Sequence, residues 1–459
     1  MTDFVPVTAT PIAEDASTFT ILKAAIRNPI EMWPDFLYRE HTTSTKILGQ
    51  RVHTTTDPDI MKAVFQTHFD IFPKSDLEQV VLERATGHGL LTAQEEEWRT
   101  QRRATSPIFR HKTLLTLAPL MIDAGAEAGA ALAAHSGELD VMPVMANATL
   151  KVIGGTLLSG DEDQLDFAEM SRVVEVLLNT LGKVDVLDFF QSTRRMPRPW
   201  GKAGKEAVAW MQDTAAKVMA GRRLSGKEAQ DLLALLMAAR HPDTGEGLSD
   251  AQIRDNVVTF IGAGHETTSI ALSWTLYLLA NHPDWQDRLA AERAAVVGDG
   301  PLTPDHIEAL DLHTMVVQEA MRLYPPAPAL DRVALEDVTI GDLEVKAGDV
   351  VVLAIYPMQR HAKLWDQPER FDPLRFSPDQ VAARHRFQYV PFSAGTRVCI
   401  GWKFAMMEAV AILAGVLDRV TLAPTAFRPY PRARITLRPQ GGMKLDVRPK
   451  VSQTRSSQN

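Results

Sequence analysis

From about residue 110 to residue 300 the apolar positions follow helical spacing in a background rich in Ala, Leu, Met and charged side chains. The longest such stretch opens at "SDAQ", where Ser249 and Gln252 have capping-box spacing, and runs to Asn281-His282-Pro283. About thirty residues at 1.5 Å each reach roughly 45 Å, enough to cross a whole domain. Another helix is expected over 312–324, stopped by Pro325-Pro326. A last one is expected to begin just after Cys399, with the apolar stripe Phe404, Ala405, Ala411, Ile412 and Val416.

Strand character is confined to short pieces. "TKILGQRVHTTTDPDI" (45–60) reads as two β segments and then a helix start, with Asp57 as cap and Pro58 in the first turn. "LEVKAGDVVVLAIY" (343–356) reads as a strand, a glycine turn and a buried Val-rich strand. Residues 1–45 show no clear periodicity, "RRMPRPWGKAG" (194–204) is a Pro/Gly-punctuated connection, and "VSQTRSSQN" (451–459) is a polar tail. The expected class is mainly α with a minor β part: an N-terminal extension (1–45), one integrated domain (46–450) and the tail.

Composition narrows the function. The apolar content of 45% and charged content of 23% fit a soluble globular chain, and a net charge of −8 argues against nucleic acid as the main partner. A single cysteine excludes an internal disulfide and suggests a reducing compartment. The N-terminus carries early acidic residues and no signal-length apolar core. The longest uncharged run, Thr267 to Pro283, falls short of the roughly 20 residues a membrane span needs. A cytoplasmic protein with no membrane anchor is expected.

The one cysteine lies in "FSAGTRVCIG" (392–401). A lone cysteine is commonly a small buried hydrophobe, but this one precedes a helix, whose unpaired N–H groups and dipole favour a thiolate. Gly395 and Gly401 permit a tight loop and the close approach of something flat, Phe392 can shield the sulfur, and Arg397 can hold an anionic group beside it. One thiolate without further cysteines makes a poor zinc site and a good axial ligand for a haem iron.

Here the chain resembles the cytochrome P-450 family, whose haem-ligand loop follows F-x-x-G-x-R-x-C-x-G; all five fixed positions match. At residue frequencies of ~5%, five fixed positions agree by chance in such a chain about once in ten thousand. The resemblance implies the cytochrome P-450 fold, with haem b between the long central helix and the cysteine-ligand helix, Cys399 being the iron ligand. "AGHETT" (263–268) resembles the family's (A/G)-G-x-(D/E)-T; it implies that Ala263 and Gly264 leave room for dioxygen, and that Glu266 and Thr267 relay protons. On helical geometry His265 points elsewhere, as a structural residue.

"EAMR" (319–322) matches the family's E-x-x-R, although "EEWR" (96–99) and "EMSR" (169–172) share the spacing. The resemblance implies a buried cluster of Glu319, Arg322 and Arg370 of "PERF", a folding element. Where family members often read His-Arg, this chain has Gln359-Arg360, a change that touches the scaffold. By position and resemblance Trp98 and Arg102 of "WRTQR" would meet the haem carboxylates, as would Arg397 and Arg332.

The implied activity is that of a monooxygenase inserting one atom of O2 into a C–H bond of a small hydrophobic substrate. The chain carries no Gly-rich nucleotide fingerprint, so electrons originating in NAD(P)H would arrive through separate proteins. Arg99, Arg102, Arg103, Arg110 and Lys112, near where Arg397 and Lys403 should lie, would dock an acidic ferredoxin or flavodoxin on a monomer. Pocket walls are implied at 76–92, 165–205, Phe260–Thr267, Ala327–Leu330 and 440–444, with Asp331 an unexplained carboxylate beside them. Competing readings are a peroxide-driven or rearranging haem-thiolate enzyme and a non-catalytic haem sensor; the Glu266/Thr267 pair speaks against both.

Overall fold

The computed structural model describes residues 4–450 except 48, 77, 78, 80, 81, 84, 85, 159–165, 182–200, 227–230, 242 and 243. The tail, most of the 194–204 connection and large parts of the 76–92 and 165–205 walls lie outside the described residues.

The capping box forms as expected: Ser249 accepts from the Gln252 N–H, Gln252 bonds back, and the helix Asp250–Ala280 follows. Its 31 residues span roughly 46 Å at 1.5 Å each. Most residues from Ile253 to Ala280 are buried, because the helix is flanked by Met142–Leu157, Lys202–Ser225, Asp311–Leu323 and Trp402–Arg419. Trp274 lies flat on Tyr324, with ring centroids 3.7 Å apart, fixing the central helix against Asp311–Leu323.

The helix Trp402–Arg419 runs along His111–Ala133 with almost no side chain between them. A Cβ on Gly415 would stand 2.4 Å from the carbonyl carbon of Gly125, so the two backbones touch. His111–Ala133 is long and apolar enough to cross a membrane, and here its small-residue face packs on the C-terminal helix.

A four-stranded sheet flanks the helices in the order Thr42–Ile47, Gln50–Thr55, Val350–Leu353, Leu330–Val333; only the middle pair is parallel. Asp57 caps the helix after the first hairpin, accepting from the Asp59 and Ile60 N–H groups. The mainly α fold with a minor β part is therefore present, with local differences. Residues 1–45 contain the helix Thr18–Arg27, started by a Ser17 side chain that accepts from Thr20 N. A short strand, Gly137–Asp140, interrupts the helical region by pairing with Lys444–Pro449. The Val-rich strand ends at Leu353, where Ile355–Met358 coils, and the cysteine-side helix starts at Trp402.

The Glu319 cluster forms with one change of membership. Arg322 donates to both carboxylate oxygens of Glu319 at 2.6 and 2.8 Å, and neither side chain is exposed. Its remaining N–H groups satisfy the carbonyls of Gln359, Pro368 and Arg370. The second guanidinium at Glu319 is Arg375, 3.6 Å away, and not Arg370, which donates to Gln367. The 3-10 turn Pro373–Phe376, started by the Asp372 side chain, carries Arg375 inward, and the Asp372 N–H itself donates to Glu319. Gln359 is a scaffold residue, joining the carbonyls of Met321 and Arg322 to the N–H of Val390.

Candidate functional site

The cysteine loop is closed by its own backbone: the Cys399 N–H donates to the Phe392 carbonyl at 2.9 Å. Gly395 has φ +66, and a Cβ there would stand 1.9 Å from the Phe65 carbonyl oxygen. What comes close to this glycine is thus the protein's own backbone. Gly401 is ordinary by comparison, its Cβ position 3.6 Å from Phe109. Phe392 is half-buried and packs on the main core.

The Cys399 side chain is accessible although it sits deep in the protein, so its sulfur opens on an interior hollow. Burial pushes the thiol up from 9.0, while the Gly401 N–H and the Arg102 guanidinium pull the other way. The helix end therefore helps the thiolate without outweighing desolvation; a metal at the sulfur would displace the proton.

The central helix has a matching opening. Within its buried run, Ala263 is exposed and Gly262, Gly264 and Thr267 are half-exposed. A Cβ on Gly262 would meet nothing within 4 Å among the described residues, whereas one on Gly264 would press on Ile153 at 3.0 Å. Thr267 Oγ1 donates to the Ala263 carbonyl at 2.8 Å, leaving its lone pairs toward the opening. Glu266 is buried and is held from another element: Arg438 Nε and Thr436 Oγ1 both donate to its Oε1, at 2.5 and 3.0 Å. His265 turns away, as expected, and neither ring nitrogen has a partner among the described residues. Burial lowers its pKa to about 4, so the ring is neutral.

Three of the four expected carboxylate partners converge on the loop, and the fourth reaches it through Phe65. The Arg397 guanidinium lies 4.5 Å over the buried Trp98 ring and donates to the Ala93 carbonyl. Arg332 lies 5.7 Å over Phe65, the residue whose carbonyl abuts Gly395. Arg102 is half-buried, and its guanidinium makes no hydrogen bond or ion pair among the described residues. Burial depresses its pKa, and the nearby Cys399 sulfur opposes this. A half-buried guanidinium without a carboxylate suits an anionic group supplied from outside the chain. With the thiol opening on a hollow and a helix stripped of side chains at Ala263, these residues fit a flat, dianionic, thiolate-ligated haem. The puzzling Asp331 is engaged by Ser75, whose hydroxyl donates at 2.7 Å.

Sequence reasoning missed Arg438 and Thr436, which hold Glu266 from the hairpin Tyr430–Ala433/Leu437–Gln440. They lie 172 and 170 positions from it and belong to no local motif.

This fold and this site define a haem-thiolate oxygenase. The family model for cytochrome P450 matches residues 37–445, and the chain belongs to that family. It is 31% identical over 422 residues to cytochrome P450 4A10 of Mus musculus, covering 87% of this chain and 82% of that protein. Pentalenene oxygenase of Streptomyces avermitilis is 29% identical, over 87% of this chain and 89% of its own. Among solved structures, the cytochrome P450DA heme domain superposes with a TM-score of 0.80 at 26% identity, covering 97% and 98% of the two chains. The protein is a haem-thiolate monooxygenase of the P450 type.

Proposed function

We propose that residues 46–450 work as one oxygenase unit in which Cys399 ligates the haem iron, and that Trp98, Arg102, Arg397 and Arg332 receive the haem carboxylates. The observation carrying this assignment is the half-buried, unpartnered Arg102 guanidinium beside a thiol that opens inward. Bound haem supplies dioxygen activation and electron chemistry. The chain supplies position, dryness and protons.

Thr267 presents its hydroxyl at the opening next to Ala263, and Glu266 stands one residue behind it. A proton leaving Thr267 Oγ1 is replaced through Glu266, whose carboxylate takes one up from solvent when its bond to Arg438, a residue 21% exposed, loosens. By the resemblance, Leu90, Leu91, Phe260 and Leu330 would make the space beside the haem apolar, which excludes water and favours a hydrophobic substrate.

Electrons from NAD(P)H arrive through a ferredoxin- or flavodoxin-type partner. Arg103, Arg110, Lys112 and Lys403 are exposed for docking it, whereas Arg102 belongs to the haem side. The cytoplasm is the expected compartment. The test is turnover under isotopically heavy dioxygen with a reconstituted ferredoxin system, after screening hydrophobic compounds by their spin-state shift. One heavy oxygen per product is expected, with a rate that falls on adding salt or on Arg103→Glu. Product without heavy oxygen would refute the monooxygenase assignment, and indifference to both salt and Arg103→Glu would refute the docking face.

A further inference from the structure

A second constellation, outside the haem site, lies on the four-stranded sheet. Ser44 and His53 are directly opposite in the antiparallel hairpin Thr42–Ile47/Gln50–Thr55. Ser44 Oγ is 2.7 Å from His53 Nδ1, and His53 Nε2 is 3.0 Å from Asp349 Oδ2. Asp349 is fixed in turn by the Lys346 N–H at 2.8 Å. His53 and Asp349 are buried, whereas Ser44 is exposed. The carboxylate holds the ring proton on Nε2, which leaves Nδ1 to accept from the serine hydroxyl. This is the order nucleophile, base, orienting acid, with the ring nitrogens exchanged relative to the serine-protease arrangement.

Two further observations point to a ligand. Ser44 and His53 line a concavity of ≈ 460 Å³. Its wall also carries Lys46 and Arg51, which the register places directly opposite each other, on the same sheet face as Ser44 and His53. Like charges in that position are unfavourable, and neither cation makes an ion pair among the described residues. They stand two cross-strand pairs along the ladder from the serine, the next pair on that sheet face, where they can face a developing oxyanion or an anionic substituent. Asp342 and Glu344 on the far wall favour a small substrate over a polyanion.

We propose that Ser44, His53 and Asp349 form an esterolytic centre for small carboxylic esters. Ser44 Oγ bonds to the ester carbonyl carbon as its proton passes to His53 Nδ1. The C–O bond then breaks, and the leaving alcohol takes that proton. Water, deprotonated by His53, cleaves the acyl-serine and restores the hydroxyl, so that ester and water give acid and alcohol.

The test uses the haem-loaded protein. A fluorophosphonate probe is applied, the modified peptide is mapped by mass spectrometry, and hydrolysis of 4-nitrophenyl acetate is followed. Ser44→Ala and His53→Gln are expected to abolish labelling and lower hydrolysis by at least ~100-fold, with the haem spectrum unchanged. Lys46→Glu is expected to lower hydrolysis by roughly tenfold while labelling persists. A label on another residue, or hydrolysis unaffected by Ser44→Ala, overturns the proposal. Because Ser44→Ala removes an exposed hydroxyl and no packing, its result stands even where His53→Gln fails to fold.

Discussion

Glu319 and Glu266 are both buried helix glutamates that meet arginines, yet their surroundings differ in kind. Glu319 lies between Arg322 on its own helix, the Asp372 N–H and Arg375, with no exposed surface on the Glu319 or Arg322 side chain. Glu266 is tied to a different element by the partly exposed Arg438, and the next residue faces the opening in the central helix. The first charge is locked so that it never leaves. The second is held at a boundary, where the proposed relay needs it to be released. On the proposed relay role of Glu266, a buried carboxylate is structural or functional according to what its partners can do, not according to its own burial.

Removing one member of the locked set is the harshest way to test this contrast. Glu319→Ala leaves Arg322 buried and uncompensated, and about 3–5 kcal/mol of stability is expected to go, read by denaturant unfolding and by lost haem incorporation. Glu319→Ala with near-normal stability would erase the distinction. At the boundary, Glu266→Gln and Thr267→Ala are expected to lower coupled product formation on the order of 10- to 100-fold. Stability there should change by no more than about 1 kcal/mol, since an isosteric amide still accepts from Thr436.

The same contrast recurs among the loop glycines. Gly395→Ala puts a Cβ onto the Phe65 carbonyl at positive φ and is expected to cost about 1–3 kcal/mol. Gly401→Ala, at φ −91 with an ordinary contact, is expected to stay within about 0.5 kcal/mol. A melting series separates the two.

Glu408, on the cysteine-side helix, is a third buried carboxyl. Neither of its oxygens completes a hydrogen bond among the described residues, though Thr268 is close enough to favour ionisation. Burial raises its pKa well above 4.5, so the native state keeps a proton that the unfolded chain releases. Stability from this group falls as pH rises above 4.5 toward the native value. Glu408→Gln is therefore expected to raise the Tm more at about pH 8 than at about pH 5. Equal shifts at both values would mean that the carboxyl is already ionised in the native protein.

Local signals were legible in the sequence wherever a few neighbouring residues settle the geometry. The Ser249/Gln252 box, the Asp57 cap and the five fixed positions around Cys399 are of this kind. All three E-x-x-R stretches pair in the structure, so spacing predicts the ion pair, but only Glu319–Arg322 is fully buried. Arg375 rather than Arg370 joins that cluster because a 3-10 turn rotates it inward, and both precede Phe at the same offset. Arg438 at Glu266 and Asp349 at His53 come from strands and turns far along the chain, brought near by hairpin register that no local pattern encodes.

The most direct measurement is the absorption spectrum of the haem-loaded protein, reduced and saturated with carbon monoxide. Iron held by the deprotonated sulfur of Cys399 predicts a Soret band displaced far to the red, lost in Cys399→His with haem still bound. A band in the native wild type at the position of a histidine-ligated haem would contradict the assignment.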